Sequence, residues 1–235
     1  NANYRDAGRR VSDIRDAHAA IETFEKYLKP AAGEHATPKR NKIDSLRPKL
    51  VERRDRIAAE QSIDERLLEV RQDLLEGQRR INSLPIATEG YDAVSGGLRK
   101  SYKRARNRMS EAYNDPTFEN FHEWRKRIKY HRYHSRLLRS VWVGPMKERR
   151  EQLNSLSDTI GDENDLAEFS IMMREEGMFE PETRDTLNRI IRGRRAELHR
   201  KGRHLGKKLF AEDPDRLVDR IGAYWEATRE YDPNG

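Results

Sequence analysis

The 235-residue chain contains no cysteine, which excludes disulfides, thiol catalysis and cysteine-based metal sites. Apolar residues are scarce, 34% of the chain against 38% charged, a low share for a globular protein. No apolar run approaches the roughly 20 residues that a membrane-spanning helix requires. No signal peptide is visible after Asn1, so a cytoplasmic protein without a membrane partner is expected. Alternating apolar and polar runs rich in β-branched residues are also missing, and no sheet is expected. What is present is apolar spacing at the helical period, which argues against disorder. Long amphipathic helices bury enough surface when Lys and Arg stems cover part of it.

Helices are predicted over 3–28, 38–60, 62–82, 88–113, 116–142, 145–160, 163–176, 181–211 and 214–231. Pro38, Pro116, Pro145, Pro181 and Pro214 each stand where a first helical turn would begin, which suits a fixed φ and a missing N–H. Asp115 and Asp213 precede two of them as candidate N-caps. Residues 31–40, with Gly33, His35 and Pro38, read as a polar loop. Ser12-Asp13-Ile14-Arg15-Asp16-Ala17 matches Gly161-Asp162-Glu163-Asn164-Asp165-Leu166 in its acidic positions, each between two amphipathic helices. That repeat predicts one helical domain of two related halves, about 1–84 and 85–235, divided near Ser83-Leu84-Pro85.

The most informative segment runs from Phe121 to Arg136. On a helix, His122, Arg125, Lys129, Arg132 and Arg136 fall within roughly 80° of arc. Phe121 and Ile128 flank that arc on one side, and Tyr130, Tyr133 and Leu137 on the other. Cations between two apolar strips imply a basic stripe facing a crevice, which is costly unless anions fill it.

Charge is strongly segregated. From Arg99 to Arg139 thirteen Lys/Arg stand against four Asp/Glu, a net +9, and from Arg189 to Lys208 nine stand against one, a net +8. The whole chain carries only +7, which leaves −10 for the rest. Such a field suits a multivalent anion. A second row, Arg99, Lys103 and Arg106 with Tyr102 beside it, shares one helical face, and a third is formed by Arg192, Arg195, His199 and Arg203. Asp16 and Asp165 are read as buried partners that hold arginines, or as helix caps, rather than as metal ligands. Trp124, Trp142 and Trp225 are read as core or groove-wall residues.

Several of these pieces, in this order, resemble the CHAD domain, the conserved histidine α-helical domain. Leu98 to Arg106 is similar to the basic helix of that family. His122, Arg125, Lys129, Arg132 and Tyr133 match its His-x-x-Arg-x-x-x-Lys-x-x-Arg-Tyr signature, and Leu156 to Leu166 matches the Leu-Gly-(acidic)-x-x-Asp-Leu element that follows. Arg10 to Ala17 resembles the first-repeat copy of that element, and Arg192 to Pro214 the C-terminal basic helix, so the likeness runs from about Tyr4 to Trp225. The resemblance implies an all-α fold of two antiparallel four-helix-bundle halves, related by a pseudo-two-fold around a central basic channel. It also implies binding of inorganic polyphosphate. The chain departs from the pattern in its first repeat, which lacks the histidine motif, and the opening helix of the first half is expected to be missing.

Polyphosphate offers regularly spaced charges and no base or sugar, so rows of cations one helical turn apart suit it. The candidate contacts are Arg99, Tyr102, Lys103, Arg106, His122, Arg125, Lys129, Arg132, Tyr133 and Arg136, followed by Arg192, Arg195 and Arg203. The expected role is non-enzymatic, targeting to or scaffolding on polyphosphate and its granules, with no cofactor. A nucleic-acid-binding protein is the alternative, although no helix-turn-helix or RNA-binding motif is present. A phosphohydrolase ranks behind it, because no His-Asp dyad or Gly-rich phosphate loop is present. His131 and His134 are expected opposite the stripe, in solvent.

Overall fold

The computed structural model describes residues 2–32, 37–60, 62–85, 87–177 and 179–230, and among these every regular element is helical. In chain order they are α1 (Ala2–Arg10), α2 (Ser12–Thr23), a π-turn (Phe24–Leu28), α3 (Lys29–Ala32), α4 (Thr37–Asp44), α5 (Leu46–Glu60), α6 (Ile63–Asn82), α7 (Asp92–Asn114), α8 (Phe118–Leu137), α9 (Val143–Glu175), α10 (Pro181–Leu209) and α11 (Pro214–Glu230). Residues 33–36 of the expected polar loop lie outside the described residues, and the helical turn Lys29–Ala32 before them was not expected.

Three boundaries differ from expectation for physical reasons. The first long helix is interrupted at Val11 and again by the π-turn, where Lys29 N–H bonds to the Phe24 carbonyl. That wider turn leaves both Phe24 and Leu28 buried. No break occurs at Gly161-Asp162, and α9 runs through it. A glycine inside a helix costs only about 1 kcal/mol against alanine, and the apolar Leu156, Ile160 and Leu166 around it are all buried. Asp115 is not the N-cap of α8. Thr117 is, its hydroxyl accepting from Asn120 N–H at 3.2 Å, and Pro116 stays outside the helix. Asp213 does cap α11, accepting from Asp215 N–H at 2.9 Å.

The chain forms two compact units, Asn1–Pro85 with Asp165–Arg194, and Ile86–Asn164 with Arg195–Gly235. The chain leaves the first unit at Pro85, re-enters it within α9 and leaves it again within α10. In the first unit α1 packs on α6 and α2 on α5. Tyr4 lies so close to Gly77 that a Cβ there would sit 2.7 Å from its ring. Arg53, half-buried, forms an ion pair with Glu176 in the same unit.

The second unit is built on the α7–α8 hairpin, with α11 against α7. Its core gathers Leu98, Tyr102, Phe121, Trp124, Ile128 and Ile160. α10 approaches this core through Gly202 and Gly206. A Cβ on Gly206 would meet Met109 Sδ at 2.7 Å and Trp124 Cζ2 at 3.1 Å. Gly206→Val is therefore expected to destabilise the protein by about 1–3 kcal/mol, the usual cost of overpacking, as read by urea unfolding. An unchanged midpoint would mean that α10 docks less closely than this geometry requires.

Candidate basic site of the second unit

The stripe on α8 starts from a well-anchored helix end. Besides the Thr117 cap, Asn120 Nδ2 donates to the Asp115 carbonyl at 2.8 Å and its carboxylate at 3.1 Å. From there α8 runs antiparallel along the first part of α9, meeting it at three successive points. His122 Nδ1 lies 3.0 Å from Asn164 Oδ1. The Arg125 guanidinium lies 3.5 Å from where a Cβ on Gly161 would be. Arg132 Nη1 donates to Asn154 Oδ1 at 3.3 Å. With an amide oxygen as acceptor, His122 holds its proton on Nδ1 and leaves Nε2 available. The α9 groups that these three side chains meet at these points are neutral, two amides and a glycine.

His122, Arg125, Lys129 and Arg132 are all half-buried, while Arg136 is exposed. Arg125 Nε is buried without a hydrogen-bond partner among the described residues. The two apolar flanks behave differently. Phe121 and Ile128 are fully buried, but Tyr130, Tyr133 and Leu137 are exposed, and the last is 61% accessible. The second apolar strip is therefore not a closed wall. Tyr133 instead lies under the Arg132 guanidinium, 5.2 Å from ring centre to Cζ, and Arg127 covers Tyr130 similarly at 5.6 Å.

The α7 row is placed differently. Arg99 forms a two-point ion pair with Asp215 at the start of α11, both side chains exposed. Such a surface pair contributes little stability. Lys103 is exposed, and Arg106 stands 4.0 Å from Asp213. Tyr102 is no contact residue. It is fully buried, its hydroxyl donates to the Glu212 carbonyl at 2.8 Å, and desolvation pushes its pKa up.

In the C-terminal row, Arg192 belongs to the first unit, and Arg195 and Arg203 to the second. Arg195 donates to Glu163 Oε1 from Nε at 2.9 Å and from Nη2 at 2.7 Å, and His199 Nε2 reaches the same oxygen at 3.1 Å. Glu163 is fully buried, and the His199 ring stacks on Phe121 with centroids 4.1 Å apart. Arg203 covers the Tyr113 ring at 5.3 Å and shares a cavity of about 390 Å³ with Arg106 and Lys207. Lys207 was not among the candidates, although it follows Arg203 at the i+4 spacing that puts both on one face.

The buried carboxylate that holds an arginine is thus Glu163 and not Asp16. Asp16 pairs with its neighbour Arg15 at 2.8 Å and is half-exposed. Asp16 and Asp165, the repeat-related positions, line one small cavity of about 70 Å³ in the first unit, beside Arg53 and Glu168. Among the described residues, no group of three or more His, Asp or Glu side chains could hold a metal ion. None of the described helices is long and apolar enough to cross a membrane. Of the tryptophans, Trp124 is fully buried, Trp225 packs on Tyr91, and Trp142 is half-exposed with its edge to Tyr224.

His131 overturns the expectation of a solvent histidine. It is fully buried, between Arg149, whose Nη2 lies 3.1 Å from Nε2, and Ser101 Oγ, 3.3 Å from Nδ1. Arg149 can only donate, so His131 accepts at Nε2, carries its proton on Nδ1 and is neutral. Burial first, and the Arg149 charge second, push its pKa well below the ordinary imidazole value. Because the folded-state pKa is depressed, the stabilisation is complete above the unfolded value of about 6.5 and is lost as pH falls below it. Unfolding free energy is expected to drop by up to about 1.4 kcal/mol per pH unit below that point. Urea unfolding at neutral and mildly acidic pH reads this slope. His131→Gln, which keeps an acceptor for Arg149, should flatten it, and an unchanged slope in the variant would assign the effect elsewhere.

The family model described as CHAD domain matches residues 1–174 of the chain. The match covers α7, α8 and nearly all of α9, and it ends before α10, so the residues Arg192, Arg195 and Arg203 lie beyond it. Comparison with curated proteins gives no match, and neither does comparison with solved structures.

Proposed function

Since this chain belongs to the CHAD family, we propose that it is a non-enzymatic receptor for inorganic polyphosphate, with the α8 stripe as its principal contact row. The observation that carries this reading is the half-buried trio His122, Arg125 and Arg132, which meet two amides and a glycine on α9. Cations held in place by neutral groups are suited to a polyanion, whose phosphates supply counter-charge. His122, Arg125, Lys129 and Arg132 make the main contacts, Arg136 extends the row, and Arg106, Arg203 and Lys207 form a second basic patch. The wider arrangement in this proposal is that of the family, two pseudo-symmetric helical halves and a basic channel, with a cytoplasmic protein docked on polyphosphate or its granules.

With Nδ1 of His122 committed to Asn164, Nε2 is the ring nitrogen left to meet a ligand.

Titration calorimetry against long-chain polyphosphate, with triphosphate and duplex DNA alongside, tests the proposal. The expected result is preference for the long chain, weakening linearly in log–log form with salt, with no phosphate released. His122→Gln should weaken the binding, and an unchanged affinity would remove His122 from the site. Equal or tighter binding of duplex DNA, or steady release of phosphate, would overturn the reading.

A further inference from the structure

The cavity between α7 and α10 is lined by groups of three kinds, and inorganic polyphosphate has a use for only one of them. Its cations are Arg106 from α7 and Arg203 and Lys207 from α10. Its apolar part is formed by Met109, Gly206 and Phe210. On the α7 side Ser110 and Asn114 add a hydroxyl and an amide. A volume of about 390 Å³ lies within the range of small-molecule sites. Among the described residues, none from α8 or α9 lines it, so it is separate from the stripe.

The three cations keep their charge here. No carboxylate lines the cavity among the described residues. Asp213 stands 4.0 Å from Arg106 with one oxygen, while its other oxygen caps α11. Glu163, whose charge reaches Tyr113, is taken up by Arg195 and His199, and Glu111 pairs with Arg108. Arg203 lies over the Tyr113 ring, a contact that fixes the guanidinium and leaves its donors in place.

The remaining lining groups decide the class of anion. Polyphosphate presents only oxygens that accept, so a thioether and an amide carbonyl do nothing for it. Met109 offers an adaptable, polarisable surface to a flat ring, and the Asn114 amide both donates and accepts, as the edge of a heterocycle requires. A planar guanidinium can also stack on such a ring.

We propose that this cavity binds a small organic phosphate, with its phosphate groups on Arg106, Arg203 and Lys207 and a flat heterocyclic body against Met109 and Asn114. This gives the second basic patch of the polyphosphate reading a ligand of its own, and the α8 stripe keeps its role whichever way the test falls.

Adenosine triphosphate is the probe, with inorganic triphosphate as a match of similar charge. Titration calorimetry of the full chain in metal-free buffer should show one site per chain, filled about tenfold or more tightly by the nucleotide than by inorganic triphosphate. Arg203→Gln combined with Lys207→Gln should weaken the nucleotide about tenfold or more. Both residues are exposed, so the helical circular dichroism signal should be retained. Ser110→Trp, which fills the α7 side without removing a cation, should weaken the nucleotide and leave inorganic triphosphate unaffected. Lys129→Glu with Arg132→Glu should leave nucleotide affinity unchanged. Absence of nucleotide binding overturns the proposal, as does inorganic triphosphate binding equally well. Nucleotide binding that survives the Arg203 and Lys207 changes, or is lost with the Lys129 and Arg132 changes, would place it elsewhere and overturn the proposal too. Failure of the polyphosphate reading is seen separately, as unchanged long-chain affinity in the Lys129 and Arg132 variant.

Discussion

Replacing Lys129 and Arg132 together by glutamate is expected to lower the affinity for long-chain polyphosphate by about 10²–10⁴-fold. The two residues stand at adjacent turns of α8, both half-buried, and Arg132 is held by Asn154 and packed on Tyr133. A hydrogen bond to a charged group contributes about 1.5–3 kcal/mol, so two lost contacts and the added repulsion account for roughly 3–6 kcal/mol. Helix content should hardly change, because glutamate forms helix about as readily as lysine or arginine. Calorimetry and circular dichroism on the same preparation separate the two effects. Loss of helix along with binding would make the stripe a structural element, and unchanged affinity would remove it from the site.

The largest expected effect on stability is at Glu163. Its carboxylate is fully buried, and one oxygen, Oε1, takes two hydrogen bonds from Arg195 and one from His199. Glu163→Ala leaves the partly buried Arg195 guanidinium without its counter-charge, and removing one partner of a buried pair typically costs about 3–5 kcal/mol. For a protein of this length that corresponds to a fall in Tm of roughly 6–20 °C. The second oxygen, Oε2, has no hydrogen-bond partner among the described residues, so Glu163→Gln, which keeps one acceptor, should cost less than the alanine change. Differential scanning calorimetry of both variants checks the order. A shift of about 2 °C or less for Glu163→Ala would mean that Arg195 and His199 are held by other contacts.

Much of the fold was legible along the chain. The all-helical class, the starts of α10 and α11 at Pro181 and Pro214, and the capping role of Asp213 follow from local chemistry, since a proline's missing N–H and an aspartate's acceptor act within one turn. Local rules failed where two of them competed. Asp115 and Thr117 are both good caps two residues apart, and which of them closes α8 depends on where α7 ends. Gly161 looks like a stop, yet the buried apolar residues on either side continue the helix through it.

The candidate site divides in the same way. The helical arc of His122, Arg125, Lys129, Arg132 and Arg136 is a property of spacing, and it needed only the 3.6-residue turn to be seen. Membership of the family was likewise readable from the motifs Leu98–Arg106, His122–Tyr133 and Leu156–Leu166, all inside the matched residues. What lies opposite a side chain is not a property of spacing. Only the packing of α8 on α9 sets His122, Arg125 and Arg132 against two amides and a glycine, sends Tyr130, Tyr133 and Leu137 into solvent, and buries His131 against Arg149. Tyr102 passes from candidate contact to core for the same reason, and Glu163 rather than Asp16 becomes the buried carboxylate. The sequence alone determined which residues share a helical face, because that depends on neighbours within a turn. The tertiary structure alone decided which faces meet and which charges are neutralised, because burial and ion pairing depend on residues tens of positions away in the chain.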